Sequence, residues 1–211
     1  MMPKNYHNTR FKYDKKRGII WKAIAGYLQR FVDRDSRVLD IGAGYCTFIN
    51  NIEAKEKHAL DLFEELPNHA QKGVTAHVQS STSMKNFASG YFDVVFASNF
   101  FEHLDSKDFS LTIGEIKRIL KKGARLIILQ PNFKYCFKEY FDDYTHEKIY
   151  TDMGMCNLLE SFGLSIEKCV PAFLPFSLKA RLPKSALLMK IYLRLPFKPF
   201  AKQMLIIASK K

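Results

Sequence analysis

Apolar and polar positions along the chain alternate between two periods, and the alternation predicts strands separated by helices. RVLDI (37–41) is a short apolar run that stops at glycines, as a buried parallel strand does. Thr47 to Lys55 places Phe48, Ile49 and Ile52 at helical spacing, which predicts a helix. KHALDL (57–62), GVTAHVQ (73–79), YFDVVFAS (91–98) and ARLIILQ (124–130) read as four further strands. A short helix is expected from Glu64 to Lys72. A longer one is expected from Ser106 to Lys122, with Phe109, Ile113, Ile116, Ile119 and Leu120 on one face and Gly123 as its stop. Strands spaced by helices imply crossover connections and a doubly wound α/β sheet.

The two ends break this rhythm. Lys16 to Val32 is an amphipathic helix, and residues 132–150, NFKYCFKEYFDDYTHEKIY, are aromatic and acidic with no clean period. Asp152 to Ser161 reads as a helix, LSIEKCV (164–170) as a sixth strand and QMLIIAS (203–209) as the last. We read residues 1–211 as a single domain, with an N-terminal helical extension (1–36) and a basic, apolar insertion (171–202) between the last two strands.

Composition narrows the class. Hydrophobic residues make up 47% and charged residues 26%, which excludes wholesale disorder. Cys46, Cys136, Cys156 and Cys169 form no CxxC pair, which argues against a zinc ribbon or a dithiol redox site. The N-terminus lacks the apolar stretch of a secretory signal, and no apolar run reaches the ~18 residues of a membrane span, so the expectation is a cytoplasmic protein. The net charge of +12 is uneven: +6 over 1–36, −4 over 37–167 and +10 over 168–211, where no acid occurs. Such ends predict an anionic partner or surface.

The sharpest chemical signal is VLDIGAGYCTF (38–48). Gly42 and Gly44 sit where a strand turns toward a helix, the place where a ligand's polar end meets bare backbone N–H groups. Asp61 ends the next strand, where a ribose diol needs an acceptor. Thr47 stands where a dinucleotide fingerprint has its third glycine, and no phosphate-cradling P-loop occurs. Asp40, two residues before the first glycine, suits a cationic ligand with an amino-acid end.

These residues, with FDVVFASNFFEHL (92–104) and EIKRILKKGARLIILQPN (115–132), resemble the class I S-adenosylmethionine-dependent methyltransferases, in particular the type 11-like branch, over residues 37–131. The resemblance implies a Rossmann-like, mostly parallel seven-stranded sheet with an antiparallel last strand, and S-adenosyl-L-methionine as cofactor. It implies that Asp40, Gly42, Ala43 and Gly44 hold the methionine end, Asp61 the ribose, and Leu62 the base. Ser80 and Ser81 would frame the adenine, though many members have an aspartate near there. Ser98 and Asn99 would face the methyl group. The family often has a third glycine where Cys46 stands.

On the acceptor side, His146 is the first candidate base, oriented by Asp143, and His103 of the EHL segment is the second. Asn132, Tyr140 and Tyr144 are candidate substrate contacts, and no metal site is expected. The expected acceptor is a small molecule or one linked to a glycan or lipid. Nucleic acid is disfavoured: amino-group DNA and RNA methylation in related families uses an Asn/Asp-Pro-Pro-Tyr/Phe motif, and this chain has SNFFEH there. The alternatives are a nucleic-acid methyltransferase and a non-catalytic adaptor at a membrane surface. The cationic tail, with its interleaved Leu, Phe, Tyr and Met, fits a substrate lid, a homodimer face or an anionic membrane contact.

Overall fold

The computed structural model describes residues 14–175 and 185–211. Seven strands form one sheet: β1 (Arg37–Ile41), β2 (Glu56–Asp61), β3 (Val74–Val78), β4 (Phe92–Ser98), β5 (Leu120–Pro131), β6 (Leu164–Pro175) and β7 (Ala201–Lys210). Their order is β3-β2-β1-β4-β5-β7-β6. Strands β1 to β5 pair in parallel, whereas β7 is antiparallel to both β5 and β6. The antiparallel last strand is as expected. The order reverses between β1 and β4, and a crevice opens at such a switch point beyond the carboxyl ends of the strands.

Among the described residues, six α-helices accompany the sheet: α1 (Lys15–Leu28), α2 (Leu66–His69), α3 (Ser106–Ile119), α4 (Phe133–Cys136), α5 (Asp152–Ser161) and α6 (Ala186–Arg194). Side chains on alternate strand positions enter two cores. One face of the sheet buries Val38, Phe96 and Ile127 against α1 and α6, and the other buries Leu39, Val95 and Leu126 against α3 and α5. Phe48 stacks on Phe96 at 3.7 Å, and Trp21 meets the same ring edge-on at 6.3 Å. Ile20, Trp21, Ile24 and Leu28 of α1 are all buried. At roughly 1.5–3 kcal/mol for each large apolar side chain, α1 belongs to the main core.

Three elements differ from the sequence reading. Thr47 to Lys55 is not a regular helix but a run of turns with isolated helical bonds, such as Asn50 N–H to the Cys46 carbonyl. The Asn50 and Asn51 side chains take backbone partners at His69, Gln71 and Thr47 and compete with helical pairing. Helix α3 stops at Ile119, because the carbonyls of Arg118 and Ile119 accept from Gly90 and Tyr91 and Leu120 is already extended. Strand β6 continues through Pro171 to Pro175, with register shifts on the way.

Candidate active site

The chain turns sharply after β1. Gly42 (φ +68°) and Gly44 (φ +49°) lie in the left-handed region, and so does Cys46 (φ +54°) at the position where a third glycine is often found. A Cβ at Gly42 would stand 2.6 Å from Phe100 Cδ2, so that residue is glycine for its backbone angle and for its neighbour. The turn hangs on the end of β2. The amides of Gly42 and Ala43 donate to the Leu60 carbonyl at 2.8 and 3.2 Å. The Gly44 amide donates to Asp61 Oδ2 at 2.8 Å, and the Phe63 amide to Asp61 Oδ1 at 3.0 Å. Each Asp61 oxygen keeps a further lone pair for a ligand hydroxyl.

Asp40 is buried on β1 below this turn. Burial, and then the charge of Asp61, push its carboxyl well above the usual carboxylate range, partly offset by a backbone hydrogen bond involving Ile49. An incoming ammonium would reverse that shift. The buried acid therefore fits a cationic amino-acid end. Cys46 is no nucleophile: burial, Asp40 and Asp61 push its thiol up to about 12.

The other predicted cofactor residues fall around the same edge. Leu62 projects into solvent at 63% exposure, available as an apolar wall. Ser80 hydrogen-bonds Thr82, whereas Ser81 is buried with its hydroxyl on Thr112 of α3 at 2.9 Å. That bond makes Ser81 a tie between loop and helix. Ser98 ends β4, and Asn99 (φ +48°) follows with its amide on the Leu129 carbonyl.

The switch point brings the acceptor-side residues to this turn. Phe100, over Gly42, leads into the turn Phe101–His103, and the Glu102 carbonyl accepts from the amides of Glu147 and Lys148. The 143–148 segment is thereby laid against the end of β4. His103 and His146 stand with ring centroids 5.0 Å apart, and His146 lies 4.4 Å from the Tyr140 ring. His103 Nδ1 bonds the carbonyl and hydroxyl oxygens of Thr145 at 3.1 and 3.0 Å. Thr145 Oγ1 donates in turn to Asp143 Oδ1 at 2.6 Å. Burial holds the His103 imidazole below its ordinary value. Asp143 thus reaches His103 through Thr145, a relay that the sequence reading did not contain.

Two expected substrate contacts are corrected. Asn132 is wholly buried: its side-chain amide donates to Asp152 Oδ1 and to the Pro171 carbonyl, both at 3.0 Å, and its oxygen caps α4. No donor is left for a substrate. Tyr140 is also fully buried, with its hydroxyl on the Lys148 carbonyl. Tyr144 is exposed beside the site. Glu102, which the sequence reading passed over, is 1% exposed and neither carboxylate oxygen has a hydrogen-bond partner. Burial pushes its carboxyl up to about 8. The residue was legible only as one letter of FFEHL, because nothing local says that its side chain points inward.

A polar cleft at the opposite edge of the sheet, among Asp33, Asp93, Lys121 and Arg125, is remote from the glycine turn. Its Asp93 and Lys121 neutralise one another as an ion pair.

Fold and turn together define a Rossmann-like protein that binds a nucleoside cofactor with a cationic end. Residues 39–128 match the family model of the methyltransferase domain. No curated protein matches the chain. Solved structures with the same fold include a SAM-dependent methyltransferase from Archaeoglobus fulgidus, 22% identical, covering 90% of this chain and 94% of that one at a TM-score of 0.67. A SAM-dependent methyltransferase from Thermotoga maritima is 17% identical over 93% and 91%, at 0.68. A protein from Pyrococcus horikoshii OT3 is 14% identical over the whole of both chains, at 0.71. The domain match spans the glycine turn, Asp61 and β4, so this part of the chain is a methyltransferase domain, with S-adenosylmethionine as the cofactor it implies.

Proposed function

We propose that this methyltransferase acts on an acceptor carried by a glycan or lipid, while resting on an anionic membrane surface. The observation that supports the reading is where the basic insertion emerges. β6 runs parallel to β1 and ends at Pro175, while β7 starts antiparallel at Ala201, so the connection between them leaves and re-enters at the carboxyl edge that carries the glycine turn. Within it, α6 buries Met189, Tyr192 and Leu193 toward α1. Its other side exposes Leu187, Leu188 and Ile191, followed by Phe197 and Phe200, which are 79% and 80% exposed. Lys190 and Arg194 are interleaved with these residues and exposed. Apolar side chains among cations suit an interface of headgroups and acyl chains. Among the described residues, no helix is long and apolar enough to cross a membrane.

The bound cofactor supplies an electrophilic methyl group on a sulfonium. The chain's own residues bind and orient: Asp40 faces the ammonium, Asp61 the ribose, and the Gly42–Gly44 turn, its amides held by Leu60 and Asp61, gives the methionine end close approach to the backbone. His103 and His146, beyond Phe100, face the acceptor, where a neutral imidazole can take a proton from a hydroxyl or amine. Positioning for in-line displacement supplies most of the acceleration.

The test supplies labelled S-adenosylmethionine with a membrane-derived glycolipid extract, water-soluble acids and amines, and tRNA in parallel. Label in the glycolipid supports the reading. Label confined to small molecules, with no association with anionic vesicles, replaces it with a soluble acceptor and a lid. Label in tRNA overturns it.

A further inference from the structure

We propose that Glu102, His103 and His146 form a binding site for a divalent first-row transition-metal ion. One carboxylate oxygen and two imidazole nitrogens lie here within 4.8 Å of one another. Metal–ligand bonds of about 2 Å put donors roughly 3–4 Å apart, so small side-chain rotations close the set. Two imidazoles with one carboxylate select zinc, iron, manganese, cobalt or nickel over magnesium or calcium, which favour oxygen ligands.

Two independent features separate this cluster from a chance meeting of polar side chains. The first is Glu102: a 1% exposed carboxylate whose two oxygens both lack a hydrogen-bond partner. The nearby backbone N–H groups of Phe100 and Glu102 make no hydrogen bond of proper geometry with it. A cation would satisfy both oxygens at once, which nothing else in the cluster does. The second is the support behind His103. Its Nδ1 faces two Thr145 oxygens, and Thr145 Oγ1 is committed as a donor to Asp143. That arrangement puts the imidazole proton on Nδ1, so Nε2 is the nitrogen that carries the lone pair. A carboxylate-backed histidine with one nitrogen fixed is how metal-ligating imidazoles are held. The chain builds the group from two places, the turn after β4 and the segment after α4, and joins them through the Glu102 carbonyl and the amides of Glu147 and Lys148.

The placement gives the ion a task. With the ion bound, His103 and His146 serve as its ligands in place of the base role given above: an acceptor hydroxyl resting on the ion becomes more acidic and loses its proton to solvent. The oxygen's electron pair forms the new C–O bond as the methyl C–S bond breaks, and that pair stays on sulfur, leaving neutral S-adenosylhomocysteine. This role rests on the proposed acceptor chemistry. Metal binding itself does not, and is measured without cofactor or acceptor.

The experiment uses the full chain, stripped with a chelator and titrated with Co²⁺ by visible absorption and with Zn²⁺ by calorimetry. One equivalent of each is expected to bind, and Co²⁺ should develop the ligand-field bands of a low-symmetry site. Glu102→Gln, His103→Ala and His146→Ala should each weaken binding by ~100-fold or more. Thr145→Val, which removes only the hydroxyl behind His103, should weaken it by about 10-fold. S-adenosylhomocysteine affinity reports that each variant is folded. Thr145→Val, the smallest change, decides the matter if the others fail to fold. His58→Gln with His77→Gln should leave the stoichiometry unchanged. The proposal is overturned if folded wild type binds no stoichiometric ion, or if binding survives the cluster variants and vanishes with the His58–His77 pair.

Discussion

The Gly44 amide donates to the Asp61 carboxylate across 2.8 Å, so the residue proposed for the ribose also holds the turn proposed for the methionine end. Ligand binding and turn geometry are coupled through one side chain. Asp61→Ala should lower S-adenosylhomocysteine affinity by one to two decades, from the loss of charge-assisted hydrogen bonds worth roughly 1.5–3 kcal/mol. Calorimetry with circular dichroism checks this. A folded variant with wild-type affinity would remove Asp61 from the cofactor site.

Gly42→Ala should abolish cofactor binding and cost about 1–3 kcal/mol of stability, because the backbone lies at φ +68° and the new Cβ meets Phe100. Adding Phe100→Ala should recover the steric part of the stability loss while the backbone part remains. Thermal unfolding of the three proteins separates the two contributions. Equal stability of Gly42→Ala and wild type would show that the turn relaxes freely.

Asn132→Ala should act on stability and not on acceptor affinity. The side chain joins Asp152 of α5 to Pro171 of β6, and its removal leaves buried partners unsatisfied at roughly 1–3 kcal/mol. Urea unfolding should show the loss, with KM for the acceptor unchanged. A raised KM in a fully stable variant would restore Asn132 as a substrate contact.

His58 and His77 stack, 3.0 Å apart between Nδ1 and Nε2, and burial holds both imidazoles below their ordinary value. Their unfolded value is about 6.5, so the unfolded chain binds more protons below it. The stability they contribute is present above about pH 6.5 and is lost as the pH falls through the lowered folded values. Glu56 and Arg37 also act on His58, in opposite senses. The raised carboxyls of Asp40 and Glu102 run the other way, gaining stability as pH falls, so the measurement is a difference from a variant. The stability of wild type relative to His58→Phe should shrink from pH 7.5 to 5. A constant difference would mean that His58 keeps its unfolded proton affinity.

Wild type should sediment with anionic vesicles at low salt and release near 0.5 M, where the Debye length falls to a few ångströms. Each cation at the surface contributes about 1 kcal/mol. Lys190→Gln with Arg194→Gln should therefore weaken association by more than 10-fold at unchanged cofactor affinity. Equal binding by wild type and double variant would mean that this face does not meet the bilayer.

Much of the architecture was legible in the pattern of residues. A short apolar run stopping at glycines marked β1, another apolar run marked β4, α5 fell on Asp152–Ser161 as read, and the closing antiparallel strand followed from the family resemblance. The glycine turn and Asp61 were equally plain, because a strand that stops at DxGxG and an acid ending the next strand are signals confined to a few neighbouring residues. Boundaries slipped where distant partners intervened: Gly90 and Tyr91 end α3, and Asn50 and Asn51 unmake a helix by bonding elsewhere.

The sequence by itself determined the order of elements, the glycine turn and the uneven charge, since these rest on local periodicity, backbone preference and simple counting. Only the tertiary structure decided which polar side chains are spent and which are available. Asn132 and Ser81, promising as letters, are consumed by Asp152, Pro171 and Thr112. Glu102, unremarked as a letter, is buried without a hydrogen-bond partner beside two histidines, one of them 44 positions further along the chain. Hydrogen-bond satisfaction and desolvation are properties of the packed molecule. They depend on residues that the chain brings together from dozens of positions apart, and no window of sequence contains them.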